Sequence, residues 1–180
     1  MEQPYIACIF ICLEKGQNMS PVDRAIAIAG VGLKGDRYER GTGTHSGKDN
    51  RGKPGVCMRQ VTFISSQQIE EANKLIGASY RHVVSHVRAW QTRRNILVGG
   101  RINLPSLIGK EFAFGDVLFR GFEDCTPCKI PGRMLGMPED GAPFEKAFQG
   151  LGGIRAEILT DGVIRAGDRF FDPSVERLRL

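Results

Sequence analysis

Two cysteines three positions apart, Cys125 and Cys128 in "FEDCTPCKIPGR", are the residues of this chain whose type and spacing best suit chemistry. Such a pair can supply half of a tetrahedral zinc site, close as a redox dithiol, present one thiolate as a metal ligand or sulfur carrier, or simply fill space at a strand end. Zinc needs two further ligands, and no second paired motif follows; only His82 and His86, four apart, could complete a mixed set. A thioredoxin-like dithiol opens a helix after a βαβ pattern, whereas Ile130-Pro131-Gly132 predicts that no helix follows this pair. Lys129 stands next to Cys128 and would favour its thiolate form.

A second candidate lies upstream in "GLKGDRYERGTGTHSGK". Its glycines resemble an anion-binding loop, and the same residues also read as a turn shaped by Gly35 and capped by Asp36. His45 within this loop reads as solvated, and His82, His86 and Trp90 carry no assigned site role.

These residues need elements to hold them. "YIACIFICL", Tyr5 to Leu13, is apolar on both faces and predicts a buried strand, with Cys8 and Cys12 pointing the same way as small core residues. A turn at "EKGQNMSPVD" precedes a short strand and then a long loop rich in glycine and charge. "VCMRQVTFIS" predicts a strand, Ser65 or Ser66 an N-cap, and "QQIEEANKLIG" a helix that stops at Gly77. Val83, Val84 and Val87 suit a further helix, and "NILVGG" a strand. "EFAFGDVLFRGF" predicts a hairpin running into a long strand that ends at the cysteines. "APFEKAFQG" suits a short helix, and "GIRAEILTDGVIRAGDRFF" predicts two strands paired through an Asp-Gly turn. Many short strands with glycine-marked turns and few helices predict a mainly β fold, a barrel with helices at its flanks.

Composition sets outer bounds. A chain of 180 residues, 41% of them hydrophobic, is long enough for one domain with a substantial core. Its five cysteines are too few and odd in number for a stapled secreted domain, so reduced thiols and a cytoplasmic location are expected. The N-terminal apolar run is too short and interrupted to cross a bilayer, and no membrane partner is expected. A net charge of +5 attracts anions without saying which.

Four blocks, in order, give the chain a family resemblance: "GVGLKGDRYERGTGTHSGK", "RQVTFISSQQIE", "RRNILVGGRINLPSLIGKEFAFGDVLFRG" followed by "CTPC", and "GGIRAEILTDGVIRAGD". Together they span about residues 30–168, and the chain resembles a stand-alone MOSC domain, the module found at the end of molybdenum cofactor sulfurases. The resemblance implies a single MOSC domain over residues 1–180, built as a β-barrel that binds the pterin-based molybdenum cofactor, molybdopterin. It points to Cys128 as the catalytic residue, which would ligate molybdenum or carry sulfur as a persulfide. It also implies that Arg93, Arg94, Asn95 and Thr126 bind the cofactor, although many relatives carry proline where Arg94 stands. A guanidinium matches a pterin's terminal phosphate through paired hydrogen bonds.

Implied activities are sulfur transfer, as in a sulfurtransferase, or molybdenum-dependent reduction of N-hydroxylated compounds. The chain has no room for the pyridoxal phosphate half of the large sulfurases, so a sulfur donor such as a separate cysteine desulfurase, or an electron-transfer partner, is expected. The competing expectation is a non-catalytic basic barrel in which Arg81, Arg88, Arg93 and Arg94 hold a polyanion such as RNA. Only Tyr80 and Trp90 stand near enough to stack bases, which argues against a nucleic-acid partner. Oligomeric state is not fixed by sequence.

Overall fold

The computed structural model describes residues 3–14, 16–43, 57–80 and 84–176. His45, Arg81, His82 and Val83 lie outside them. In chain order the elements are β1 (Tyr5–Ile11), β2 (Ser20–Val22), β3 (Arg24–Ile28), β4 (Gly32–Leu33), β5 (Val61–Ser65), α1 (Ser66–Tyr80), β6 (Ile96–Gly99), β7 (Glu111–Phe114), β8 (Val117–Asp124), α2 (Lys129–Met134), α3 (Ala142–Ala147), β9 (Ile154–Ile158), β10 (Gly162–Arg165), β11 (Phe170–Phe171) and α4 (Pro173–Glu176). The fold is mainly β with a few helices at its flanks, as the strand-rich sequence predicts.

Eight strands form one sheet in the order β11-β7-β8-β9-β5-β6-β1-β2, and β10-β3-β4 form a smaller one. The large sheet curls until its ends meet. Tyr5 of β1 bridges Arg169 just before β11, the Ile6 amide donates to the Asp168 carbonyl at 2.9 Å, and the Phe170 amide donates to the Pro4 carbonyl at 2.8 Å. β2 occupies the rest of that edge of β1, pairing Ile9 with Val22 through Ile11 with Ser20. Residues 20–22, expected as part of a turn, are therefore a strand. The one parallel pair among the described strands, β5 with β6, is joined by the crossover through α1.

Alternation along β7 and β8 sends Phe112, Phe114 and Phe119 inward, where they meet Phe63 of β5 and Phe170. Fully burying each such ring is worth about 1.5–3 kcal/mol. The small sheet joins the same core through Ala25, Ala27, Leu33 and Ile164. A second core packs Ile69, Ala72 and Ile76 of α1 against Phe144 and Phe148, whose rings stack at 4.3 Å. That core seats α3, and α3 in turn seats α2.

Further local expectations differ from the structure, among them the helix suggested by Val84 and Val87, which lie in an irregular segment. The strands β9 and β10 do not pair as a hairpin: β10 pairs with β3, while β9 lies between β8 and β5. Asp161, in the turn, accepts the Ala29 amide at 2.7 Å and so turns the chain toward the other sheet. Cys8 and Cys12 are not both core residues: Cys12 is buried in a small cluster with Phe10 and Met19, while that cluster does not reach Cys8, which is exposed. Gly77 does not end α1, which runs to Tyr80. Its start follows expectation: the Ser65 hydroxyl accepts the Gln68 amide while the Gln68 side chain accepts the Ser65 amide, a reciprocal cap. Lastly, Pro131 does not prevent a helix after the cysteines. α2 begins at Lys129 with Cys128 at its N-cap, so Pro131 falls in the first turn, where a helical N–H has no intrahelical partner to lose.

Candidate functional site

The segment between β8 and α2 carries the cysteine pair, and it is pinned from one side. The Cys125 amide donates to the Gly153 carbonyl at 2.8 Å. Arg94, 8% exposed, donates Nε to the Gly152 carbonyl at 2.7 Å, Nη1 to the Thr92 carbonyl at 3.0 Å and Nη2 to the Cys125 carbonyl at 3.0 Å. A methyl group on Gly152 would stand 2.1 Å from the Cys125 carbonyl oxygen, so only glycine allows this approach. Held thus, Cys125 is 3% exposed, while Thr126 and Cys128 are exposed. The Cys128 side chain makes no capping hydrogen bond to α2, which leaves its sulfur open.

Cys128 faces a cleft of about 430 Å³, lined also by Arg37, Tyr38, Thr62, Arg93, Arg94, Cys125, Thr126 and Arg155. The structure thereby brings together four of the five residues that sequence singled out: Cys128, Arg93, Arg94 and Thr126. Asn95 is the exception, buried behind the cleft in a network of its own. Its Oδ1 accepts from the Thr62 hydroxyl at 2.8 Å, and its Nδ2 donates to the Phe10 carbonyl and to Asp36 Oδ2, each at 3.2 Å. Asp36 also accepts the amides of Cys12 and Tyr38. Asp36 thus fixes the loop after β4, and Asn95 fastens that loop to β1 and β5.

Arg93 and Arg94 have unlike surroundings. Arg93 adopts a left-handed backbone, φ 63° and ψ 31°, at the end of the 3₁₀ turn Ala89–Thr92. Its guanidinium, in a residue 9% exposed, donates Nη1 to the Gln17 carbonyl at 2.6 Å and to Met134 Sδ at 3.6 Å, and Nη2 to Cys12 Sγ at 3.8 Å. Two of those three acceptors are sulfur, a weak acceptor. Among the described residues no carboxylate pairs with Arg93, Arg94 or Arg37, and none lines the cleft. Burial, and then the nearby Arg37 charge, push the Arg93 pKa down; Cys12 and Cys128 oppose them.

Arg37 and Arg155 escaped attention in the sequence, as did Tyr38. Arg37 follows the buried Asp36, and its guanidinium lies 5.4 Å from the centre of the Tyr38 ring. Burial raises the Tyr38 phenol pKa above its ordinary value. Arg155 is tied to Glu123 at 2.8 Å, and Glu123 also takes Arg59 at 2.6 Å, so one carboxylate answers two guanidiniums. The signal for Arg155 was present in "IRAEI", whose alternation turns Arg155 away from Ile154 and Ala156 in the barrel core. "GDRY" held the signal for Arg37, an arginine directly after a turn-capping acid.

Among the described residues no three His, Cys, Asp or Glu side chains cluster for a metal, and His82, one of the two histidines considered for zinc, lies outside them. His86 instead lies 3.4 Å from the Asn73 amide, beside α1. No disulfide joins any two of the five cysteines. Among the described residues no helix is long and apolar enough to cross a membrane.

A fold of this kind is met among known proteins. The MOSC domain model matches residues 42–170, and the chain belongs to the MOSC domain family. Its fold is shared with the YUAD protein from Bacillus subtilis, 20% identical with a TM-score of 0.76 over 94% of each chain. It is also similar to YiiM from Escherichia coli, 14% identical with a TM-score of 0.59, over 92% of this chain and 67% of that one. YiiM from Geobacillus stearothermophilus is 15% identical with a TM-score of 0.59, over 93% and 73%. A search of curated proteins found no match.

Proposed function

We propose that the cleft holds a pterin-based molybdenum cofactor, with Cys128 as the sulfur donor to it and Arg93 and Arg37 as its anion anchors. The observation that carries this reading is the exposed Cys128 thiol in the same cleft as the buried, carboxylate-free Arg93 guanidinium. A donor set of this kind fits the group. Thiolate is a soft ligand, two guanidiniums without carboxylates favour a phosphate, and about 430 Å³ is within the usual size of a small-molecule site. When bound, the cofactor supplies a metal centre able to accept a sulfur ligand or exchange electrons.

The chain's own residues bind and orient. Arg93 gives up weak contacts to sulfur for stronger charge-assisted bonds to an anion. Arg94 and Gly152 hold the loop so that Cys128, not Cys125, meets solvent. That openness supports the sulfur-carrier role. The Cys128 thiolate attacks the outer sulfur of a partner's persulfide, a sulfur–sulfur bond forms on Cys128 as the partner's thiolate leaves, and no net oxidation occurs. The partner is a separate sulfur donor such as a cysteine desulfurase. A polyanion such as RNA is less well served, because Arg93 and Arg94 lie inside a cleft and not along an exposed stripe.

The test is expression in a host that makes the cofactor, followed by molybdenum analysis, pterin fluorescence and persulfide trapping. Wild type is expected to carry molybdenum, pterin and trappable persulfide. Cys128→Ala should lose the persulfide and most of the metal, and Arg37→Gln should hold pterin about tenfold more weakly, the loss of a charged hydrogen bond. Equal molybdenum, or none, in wild type and Cys128→Ala, with no persulfide in either, overturns the reading. Molybdenum lost without any trappable persulfide, together with turnover of an N-hydroxylated base by an added electron donor, assigns Cys128 to a reductase.

A further inference from the structure

Next to the cleft lies a smaller cavity of different character. It holds about 110 Å³ and is walled by Met19, Trp90, Pro131, Met134 and Leu135, with Arg93 among its polar members. Arg93 and Pro131 line both spaces. The volume suits one six-membered ring, since an apolar cavity of about 150 Å³ takes benzene. Trp90 packs toward Phe10, Cys12 and Met19, so the wall it forms is anchored in a core cluster.

Charge then decides what kind of ring. Arg93 Nη1 donates one hydrogen to the Gln17 carbonyl at 2.6 Å and reaches this cavity with the other at Met134, a thioether acceptor 3.6 Å away. A carboxylate oxygen would replace that weak acceptor with a charge-assisted hydrogen bond, and no protein carboxylate among the described residues competes for the guanidinium. An uncharged ring would leave the guanidinium as undersatisfied as before, and a small anion without a ring would leave the apolar wall wet.

We infer that this cavity is a binding site for a small aromatic carboxylate, with the ring against Trp90 and Leu135 and the carboxylate on Arg93. The inference needs neither Cys128 nor a metal, but it shares Arg93 with the cofactor reading, so a bound cofactor and the carboxylate would compete for that guanidinium.

Trp90 is the only tryptophan in the chain and lines this cavity, so its fluorescence responds to a ligand there, and the Leu135→Phe variant shows that the response comes from this cavity. Protein made in a host unable to build the pterin cofactor is titrated with benzoate, acetate and benzyl alcohol, exciting at the red edge of tryptophan absorption. Benzoate should give a saturable change and bind at least about tenfold more tightly than either control, because each control lacks one of the two contributions. Leu135→Phe, which fills the cavity, should weaken benzoate about tenfold while acetate is unaffected. The idea is overturned if benzoate does not saturate. It is equally overturned if acetate or benzyl alcohol binds within roughly threefold of benzoate, for then only an anion contact or only an apolar slot exists. If Leu135→Phe does not fold, the comparison of the three ligands on wild type decides alone.

Discussion

Adjacent arginines with opposite duties show what a single residue's surroundings can settle. Arg94 points its fork at three backbone carbonyls and braces the cysteine loop, while Arg93, in a left-handed backbone, turns a guanidinium with weak acceptors toward the cleft. Arg94→Lys keeps the charge but cannot span three carbonyls, and it should cost about 2 kcal/mol in denaturant unfolding through the acceptors left bare. It should also loosen the loop, read as faster alkylation of Cys125. An unchanged unfolding midpoint would show that the brace carries no weight. From "RRN" alone the two arginines are interchangeable, because side-chain type says nothing of the sign of φ. Cys128 was legible only through the family resemblance and the adjacent Lys129, and its exposure is what the structure adds. Asn95 was not, since a fully bonded buried amide and a ligand-binding amide look alike until the partners are known.

Elements were legible where periodicity is local, and obscure where the partner strand decides. The alternation of "EFAFGDVLFRGF" and the capping box at Ser65 follow directly from neighbouring residues. The Asp-Gly turn at Asp161-Gly162 carries every local mark of a hairpin, yet its two strands belong to different sheets. Asp161 is the switch, through its bond to the Ala29 amide. Asp161→Ala should therefore speed hydrogen exchange at Ala29 and lower stability by about 1 kcal/mol or less, the worth of one exposed hydrogen bond. Exchange at Ala29 equal to wild type would refute that role. The helix α2 teaches a related lesson: proline breaks a helix interior, but in a first turn it is harmless, and only the position of Cys128 at the N-cap reveals which applies.

At the scale of the whole molecule, four arginines, Arg37, Arg93, Arg94 and Arg155, gather at one cleft, and Glu123 is the carboxylate that pairs with Arg155. The hydrogen bond from Arg59, then the Arg155 charge, hold the Glu123 carboxyl below the ordinary range. Its contribution to stability is therefore full above the unfolded value of about 4.3 and is lost as pH falls through its lower folded value. Glu123→Gln should flatten the acid limb of a stability-against-pH curve, and an unaltered limb would show that Glu123 does not govern it. The barrel's closure has a further consequence, one of timing. β1 has β2 and β6 beside it early, but the contact of Tyr5 with Arg169 that closes the barrel joins residues 164 positions apart. Pairings this distant close slowly. The contacts of Cys12 with Arg93 hang from the end of that same first strand. The cleft is thus among the last parts of the molecule to be completed, and until the barrel closes Cys128 stands on an unfinished wall.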